Sequence, residues 1–144
     1  MSQPLLSLAE LTAEEQLLVE SARLASERAY CRYSKYSVGA AIRGASGQVY
    51  TGCNVENASY GATMCAERSA VFAMVAAGER RIASVCVYAP GEPVAMPCGM
   101  CRQVISEFCR DAEVLVAGPG GVLRRSFAAL LPEAFELVPE EDAR

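Results

Sequence analysis

The sequence predicts an α/β layered domain on a mixed five-stranded sheet, and three observations predict it. Runs with helical spacing alternate with short β-prone runs along the chain, the pattern of a sheet covered by helices. The apolar, β-branched run Ser84 to Ala89 has the composition of a buried strand. The last two strand candidates are joined only by Gly118-Pro119-Gly120-Gly121. A parallel crossover needs about a dozen residues or more, so this pair is antiparallel.

Each element has its own signal. Thr12-Ala13-Glu14-Glu15 is a capping box. Beyond it Leu18, Ala22, Ala25 and Ala29 recur at helical spacing, which predicts a helix from Ala13 to Tyr30 that packs through small residues. Ser37 to Ile42 and Gln48 to Asn54 read as a hairpin turned through Gly44, Ser46 and Gly47. An alanine-rich helix follows from Met64 to Ala77 and stops at Gly78. The strand Ser84 to Ala89 comes next, then a Pro90 to Pro97 break and a helix from Cys98 to Cys109. Glu113 to Ala117 and Val122 to Arg125 are the last strands, and Phe127 to Leu131 is a short terminal helix.

The 144 residues make one domain, 1–144, with 1–11 and 139–144 expected as flexible ends. A formal charge of −4 argues against a nucleic-acid partner, because such binding draws on basic residues that neutralise phosphates. A small uncharged substrate fits better. No run approaches the roughly 20 apolar residues of a membrane span. Seven cysteines and a start, Met1 to Leu11, without a basic, apolar leader point to a reducing compartment, the cytoplasm.

The chemistry is concentrated in Cys65-Ala66-Glu67 and Pro97-Cys98-Gly99-Met100-Cys101. Three soft sulfur ligands suit Zn2+, and a site with three protein ligands keeps its fourth position for water or substrate. Bound zinc lowers the pKa of water from about 15.7 to about 7. The chain has no histidine, which excludes a Ser-His-Asp triad, a Cys-His pair and any His-ligated metal. Glu67 is the carboxylate best placed to move protons. Both ligand motifs open helices, where free N–H groups and the positive end of the dipole favour anionic thiolate and carboxylate. A closed structural site is the alternative, its fourth ligand coming from Cys31, Cys53, Cys86 or Cys109. Otherwise those four are most simply small buried hydrophobes. Glu67 weighs against a noncatalytic zinc module, because a structural site has no use for a proton shuttle. The spacing is also the general signature of zinc base deaminases in their three-cysteine form.

Several motifs in the same order extend the resemblance: Tyr33-Ser34-Lys35-Tyr36-Ser37-Val38-Gly39-Ala40-Ala41, Gly52-Cys53-Asn54-Val55-Glu56-Asn57-Ala58-Ser59-Tyr60, Cys65-Ala66-Glu67-Arg68, Pro97-Cys98-Gly99-Met100-Cys101-Arg102-Gln103 and Leu130-Leu131-Pro132-Glu133-Ala134-Phe135. With these, the chain resembles the small homotetrameric cytidine deaminases over Cys31 to Phe135. The resemblance implies a three-layer cytidine-deaminase-like domain and zinc-dependent hydrolysis of cytidine and 2′-deoxycytidine to uridine and 2′-deoxyuridine. Ammonia is released, and the reaction serves pyrimidine salvage. It also implies that Asn54 and Glu56 hold the ribose hydroxyls, that the Ala66 backbone and Glu67 read the amide edge of the base, and that Tyr36 stacks on it. Tyr60 and Phe135 then come from neighbouring subunits of a homotetramer, although Phe135 also reads as local core. Three thiolates on a divalent zinc leave an excess negative charge that an Arg68 guanidinium would withdraw.

The family commonly has phenylalanine where Tyr36 stands and proline where Arg32 stands. A blasticidin-type deaminase shares the zinc motif, but the Asn54 and Glu56 pair favours an ordinary ribose, since amide and carboxylate together match a diol. A polynucleotide-editing deaminase is disfavoured by the net acidity and by the short Gly118 to Gly121 connection.

Overall fold

The structure, a computed structural model, describes residues 4–139. Its elements in chain order are α1 (Ala13–Ser26), β1 (Gly39–Gly44), β2 (Val49–Cys53), α2 (Ala66–Ala76), β3 (Ile82–Tyr88), α3 (Gly99–Ser106), β4 (Glu113–Gly118), β5 (Gly121–Ser126) and α4 (Phe127–Leu130). The expected mixed five-stranded sheet forms in the order β2-β1-β3-β4-β5. β3 and β4 run parallel, joined by the crossover through α3, while β4 and β5 are antiparallel as their short connection requires.

Strand alternation makes the layers. On one face Ala40, Ile42, Val85, Val87, Val114 and Val116 pack against α2, α3 and Phe127. Their neighbours Ala41, Cys86, Leu115 and Ala117 point the other way, to Leu18, Val19 and Ala22 of α1. With apolar residues on both faces, the sheet is sandwiched between helix layers.

α1 ends at Ser26, short of the expected Tyr30. The backbone tightens there, with N–H groups of Glu27, Arg28 and Ala29 bonding three residues back. Tyr30 is then recruited into a parallel bridge with Val55. Its N–H goes to the Asn54 carbonyl at 3.0 Å, a tertiary pairing that outweighs helix continuation. α3 likewise stops at Ser106 and not at Cys109. The N-terminal segment expected to be flexible through residue 11 is engaged from Leu6 onward. Leu6 bridges Val122, Leu8–Glu10 form a capped 3-10 turn, and Leu11 is buried. The rest of the ends expected to be flexible, residues 1–3 and 140–144, lies outside the described residues.

Glu15 ties α1 to the sheet edge. Its carboxylate accepts from the Thr12 N–H at 2.7 Å, closing the capping box, and takes a forked pair of 2.8 Å bonds from Arg124 of β5. Burial pushes this carboxyl up, but the Thr12 N–H and the Arg124 guanidinium outweigh it and hold it below the usual range. A depressed folded-state pKa contributes stability that is present above the unfolded value, about 4.3, and is lost as pH falls through the folded value. Glu15→Gln is therefore expected to cost about 1–2 kcal/mol at pH 7, allowing for the partial exposure of Arg124. Thermal unfolding followed from pH 7 into acid should show the gap from wild type closing below about pH 4.

Candidate metal centre and active site

Cys65 is the N-cap of α2 and Cys98 the N-cap of α3, each with extended backbone one residue outside its helix. Cys101 lies in the first turn of α3 and is fully buried. The two ligand cysteines expected inside their helices are thus caps, and two helix N-termini converge on one point. Cys98 Sγ lies 3.9 Å from Cys65 Sγ and 3.4 Å from Cys101 Sγ, and all three sulfurs fall within 4.8 Å of one another. Tetrahedral zinc with Zn–S near 2.3 Å needs sulfurs about 3.8 Å apart, so the triangle fits the ion. No fourth His, Cys, Asp or Glu joins this group among the described residues. Cys86 lies on the α1 side of the sheet, and burial pushes its thiol well up. The Cys109 thiol is pushed up to about 11, chiefly by burial.

The sulfurs are electrostatically unequal. The Cys65 thiol is lowered to about 5, chiefly by the hydrogen bond it accepts from Cys101 and then by Arg68 and Cys98. Cys101, the donor to that thiolate, is raised for the same reason, with burial and the Glu67 charge adding to it. Arg68 places its guanidinium 3.5 Å from Cys65 Sγ. Glu67, in the first turn of α2, is only 5% exposed. Burial raises its carboxyl, and the neighbouring Cys65 charge raises it further, so the group is poised to hold a proton. Arg102 has no role in the sequence reading, yet it donates to the Pro97 carbonyl at 2.8 Å and the Leu130 carbonyl at 2.9 Å. It thereby fastens the Pro97-Cys98 entry to the end of α4. Only the motif position of Arg102 hints at this, because carbonyl partners are invisible in a sequence.

Segment 54–56 is laid beside this centre by an antiparallel bridge, with Val55 N–H to Met64 O and Met64 N–H to Val55 O both at 2.9 Å. Asn54 is nearly buried. It accepts from the Val38 N–H through Oδ1 and donates to the Tyr36 carbonyl through Nδ2, each at 2.9 Å. Glu56 lines a cavity of about 370 Å³ with Tyr33, Ser34, Asn57, Tyr60 and Thr63. Tyr60 is 78% exposed and meets Tyr33 edge to face at 6.2 Å. The three sulfurs and Glu67 do not line this cavity; the Val55–Met64 bridge links the segment that carries Glu56 to the one that carries Cys65. Ala66 is buried at the start of α2, where a backbone N–H has no partner within the helix. Phe135 does not join Tyr60 within the chain. It is 73% exposed and lines a separate groove with Phe108 and Phe127, its carbonyl accepting from Gln103.

Comparison with known proteins agrees with this geometry. The family described as the cytidine and deoxycytidylate deaminase zinc-binding region matches residues 12–117. A cytidine deaminase of Sporosarcina psychrophila is 45% identical over 123 residues, which span 84% of this chain and 90% of that protein. A cytidine deaminase of Mycobacterium tuberculosis is 46% identical over 122 residues, 84% of this chain and 89% of that one. The crystal structure of cytidine deaminase from Burkholderia pseudomallei superposes with a TM-score of 0.81 at 43% identity, covering 87% of this chain and 100% of that chain. With a three-sulfur zinc site at two helix N-termini and relatives matching along most of its length, the chain belongs to the zinc-dependent cytidine deaminase family.

Proposed function

We propose that this protein hydrolyses cytidine and 2′-deoxycytidine to uridine and 2′-deoxyuridine, releasing ammonia in pyrimidine salvage. The observation that carries the reading is a nearly buried carboxyl, Glu67, two residues from a sulfur of a zinc site that gathers no fourth ligand among the described residues. Cys65, Cys98 and Cys101 hold the zinc. Once bound, zinc lowers the pKa of water from about 15.7 to about 7. Glu67 carries one proton of the attacking water to the ring nitrogen of the base and the other to the exocyclic nitrogen, which departs as ammonia as the carbonyl forms. Arg68 donates to the Cys65 thiolate and offsets the excess negative charge of three sulfurs on a divalent ion.

The backbone N–H of Ala66 and the Glu67 carboxyl read the amide edge of cytosine, while Tyr36 lies against its face. Asn54 keeps one amide hydrogen beyond its bond to Tyr36, and Glu56 brings a carboxylate to the cavity, which together suit a sugar diol. The strongly exposed rings of Tyr60 and Phe135 suit subunit contacts in a homotetramer that completes the site. The thiolate-rich centre suits the reducing cytoplasm. No helix among the described residues is long and apolar enough to cross a membrane.

The test is loss of cytidine ultraviolet absorbance in the zinc-loaded protein, repeated after chelation and after zinc is restored. Turnover should vanish with the metal and return with it. Cytidine left intact by the loaded enzyme, or turnover indifferent to chelation, overturns the assignment. Parallel arms with 2′-deoxycytidine and blasticidin S define the substrate range.

A further inference from the structure

The segment that forms one wall of the cavity, Tyr33 and Ser34, also holds the Glu56 carboxylate. The chain turns back over Cys31 to Lys35, closed by a 2.8 Å bond from the Lys35 N–H to the Cys31 carbonyl. Lys35 sits at φ 59°, a left-handed conformation that residues bearing side chains rarely adopt. This turn aims two successive backbone N–H groups, those of Tyr33 and Ser34, at one oxygen of Glu56, at 2.9 and 3.0 Å. Consecutive N–H groups converging in this way make a small anion nest. The Ser34 hydroxyl donates to the other Glu56 oxygen and accepts from the Tyr36 N–H at 3.1 Å. Glu56 forms no ion pair among the described residues.

Three protein donors occupy most of the roughly four acceptor positions of a carboxylate. What remains faces a cavity that Ser34 and Glu56 line together. Without the serine hydroxyl, one oxygen loses its side-chain donor and the carboxylate can pivot about the two N–H bonds on the other.

We propose that Ser34 is a positioning residue for sugar recognition: by bonding Glu56 and the Tyr36 backbone at once, it fixes the carboxylate so that its remaining lone pair meets a ribose hydroxyl. The proposal rests on the reading of Glu56 as a hydroxyl acceptor. Preorganisation of this kind favours substrates that carry the hydroxyl and does nothing for those that lack it.

The experiment compares cytidine with 2′,3′-dideoxycytidine, by KM or by inhibition constant where turnover is slow, in the zinc-loaded wild type, Ser34→Ala, Ser34→Thr and Glu56→Gln. Ser34→Ala is expected to raise KM for cytidine about tenfold, the loss of one hydrogen bond to a charged group. Its kcat should stay within about twofold, as for an interaction made equally in ground and transition states. Its affinity for the dideoxynucleoside should be unchanged, and Ser34→Thr, which keeps a hydroxyl, should recover most of the loss. If Ser34→Ala weakens both ligands equally, or neither, while Glu56→Gln still erases the preference for cytidine, the positioning role of Ser34 is overturned and the hydroxyl reading stands. If Glu56→Gln leaves the preference intact, the hydroxyl reading itself fails and the proposal falls with it. Should Ser34→Ala not fold, Ser34→Cys, a weaker donor, replaces it with the same expected direction.

Discussion

Glu67→Gln is expected to keep its zinc and its fold while losing about 10²- to 10⁴-fold in kcat, the usual worth of a positioned proton-transfer group. The amide matches the carboxylate in size, so packing at this 5% exposed position is preserved. It also removes a group whose ionised form is disfavoured by burial and by the Cys65 charge. The variant should therefore unfold at the same temperature as wild type or higher, and zinc per chain should not change. Lost activity with unchanged or raised stability separates a chemical role from a structural one, since replacing a residue that serves only to support the fold would lower both together. Turnover of the variant equal to wild type, with zinc bound, refutes the proton shuttle.

That such a residue can be singled out from sequence reflects the locality of the motif. Cys65, Glu67 and Arg68 share one helix start, and Cys98 and Cys101 share another, so spacing alone places each set on its element. Sheet direction was legible where a connection is too short to cross over, as between β4 and β5. The end of α1 was not, because what stops the helix is the pairing of Tyr30 with Val55, a partner far along the chain. The cavity wall was hidden for a related reason. Tyr33 and Ser34 hold Glu56 mainly through backbone N–H groups, which every residue but proline carries and which leave no mark in a sequence. Ser34 stood inside a motif already recognised, but its partner became visible only when segments 33–38 and 54–56 came together. Arg102 was hidden in the same way behind its carbonyl partners.

The same distinction between local motif and tertiary seating governs Gly52→Ala, expected to be among the most damaging substitutions outside the ligands. Gly52 lies in β2 directly beneath α2. A methyl group there would approach the Ala70 nitrogen to 2.4 Å, the Ala66 carbonyl oxygen to 2.6 Å and the Ser69 carbonyl carbon to 2.8 Å. All three are backbone atoms of the helix, so no side chain can swing aside, and glycine is what permits the close approach. Relief requires α2 to move off the sheet by about an ångström, with an overpacking cost of about 3 kcal/mol. Because α2 carries Cys65 while α3 carries Cys98 and Cys101, that movement also spreads the sulfur triangle. Gly52→Ala should consequently lower the unfolding temperature and release zinc to a competing chelator faster than wild type. Gly99→Ala is the matched control, for it adjoins Cys98 yet a methyl group there meets nothing within 4 Å. It should leave both quantities nearly unchanged, which ties the damage to the close approach of β2 and α2. A Gly52→Ala protein with wild-type melting and zinc retention would mean that the seat of α2 on β2 yields without strain, and that the sheet does not set the spacing of the metal ligands.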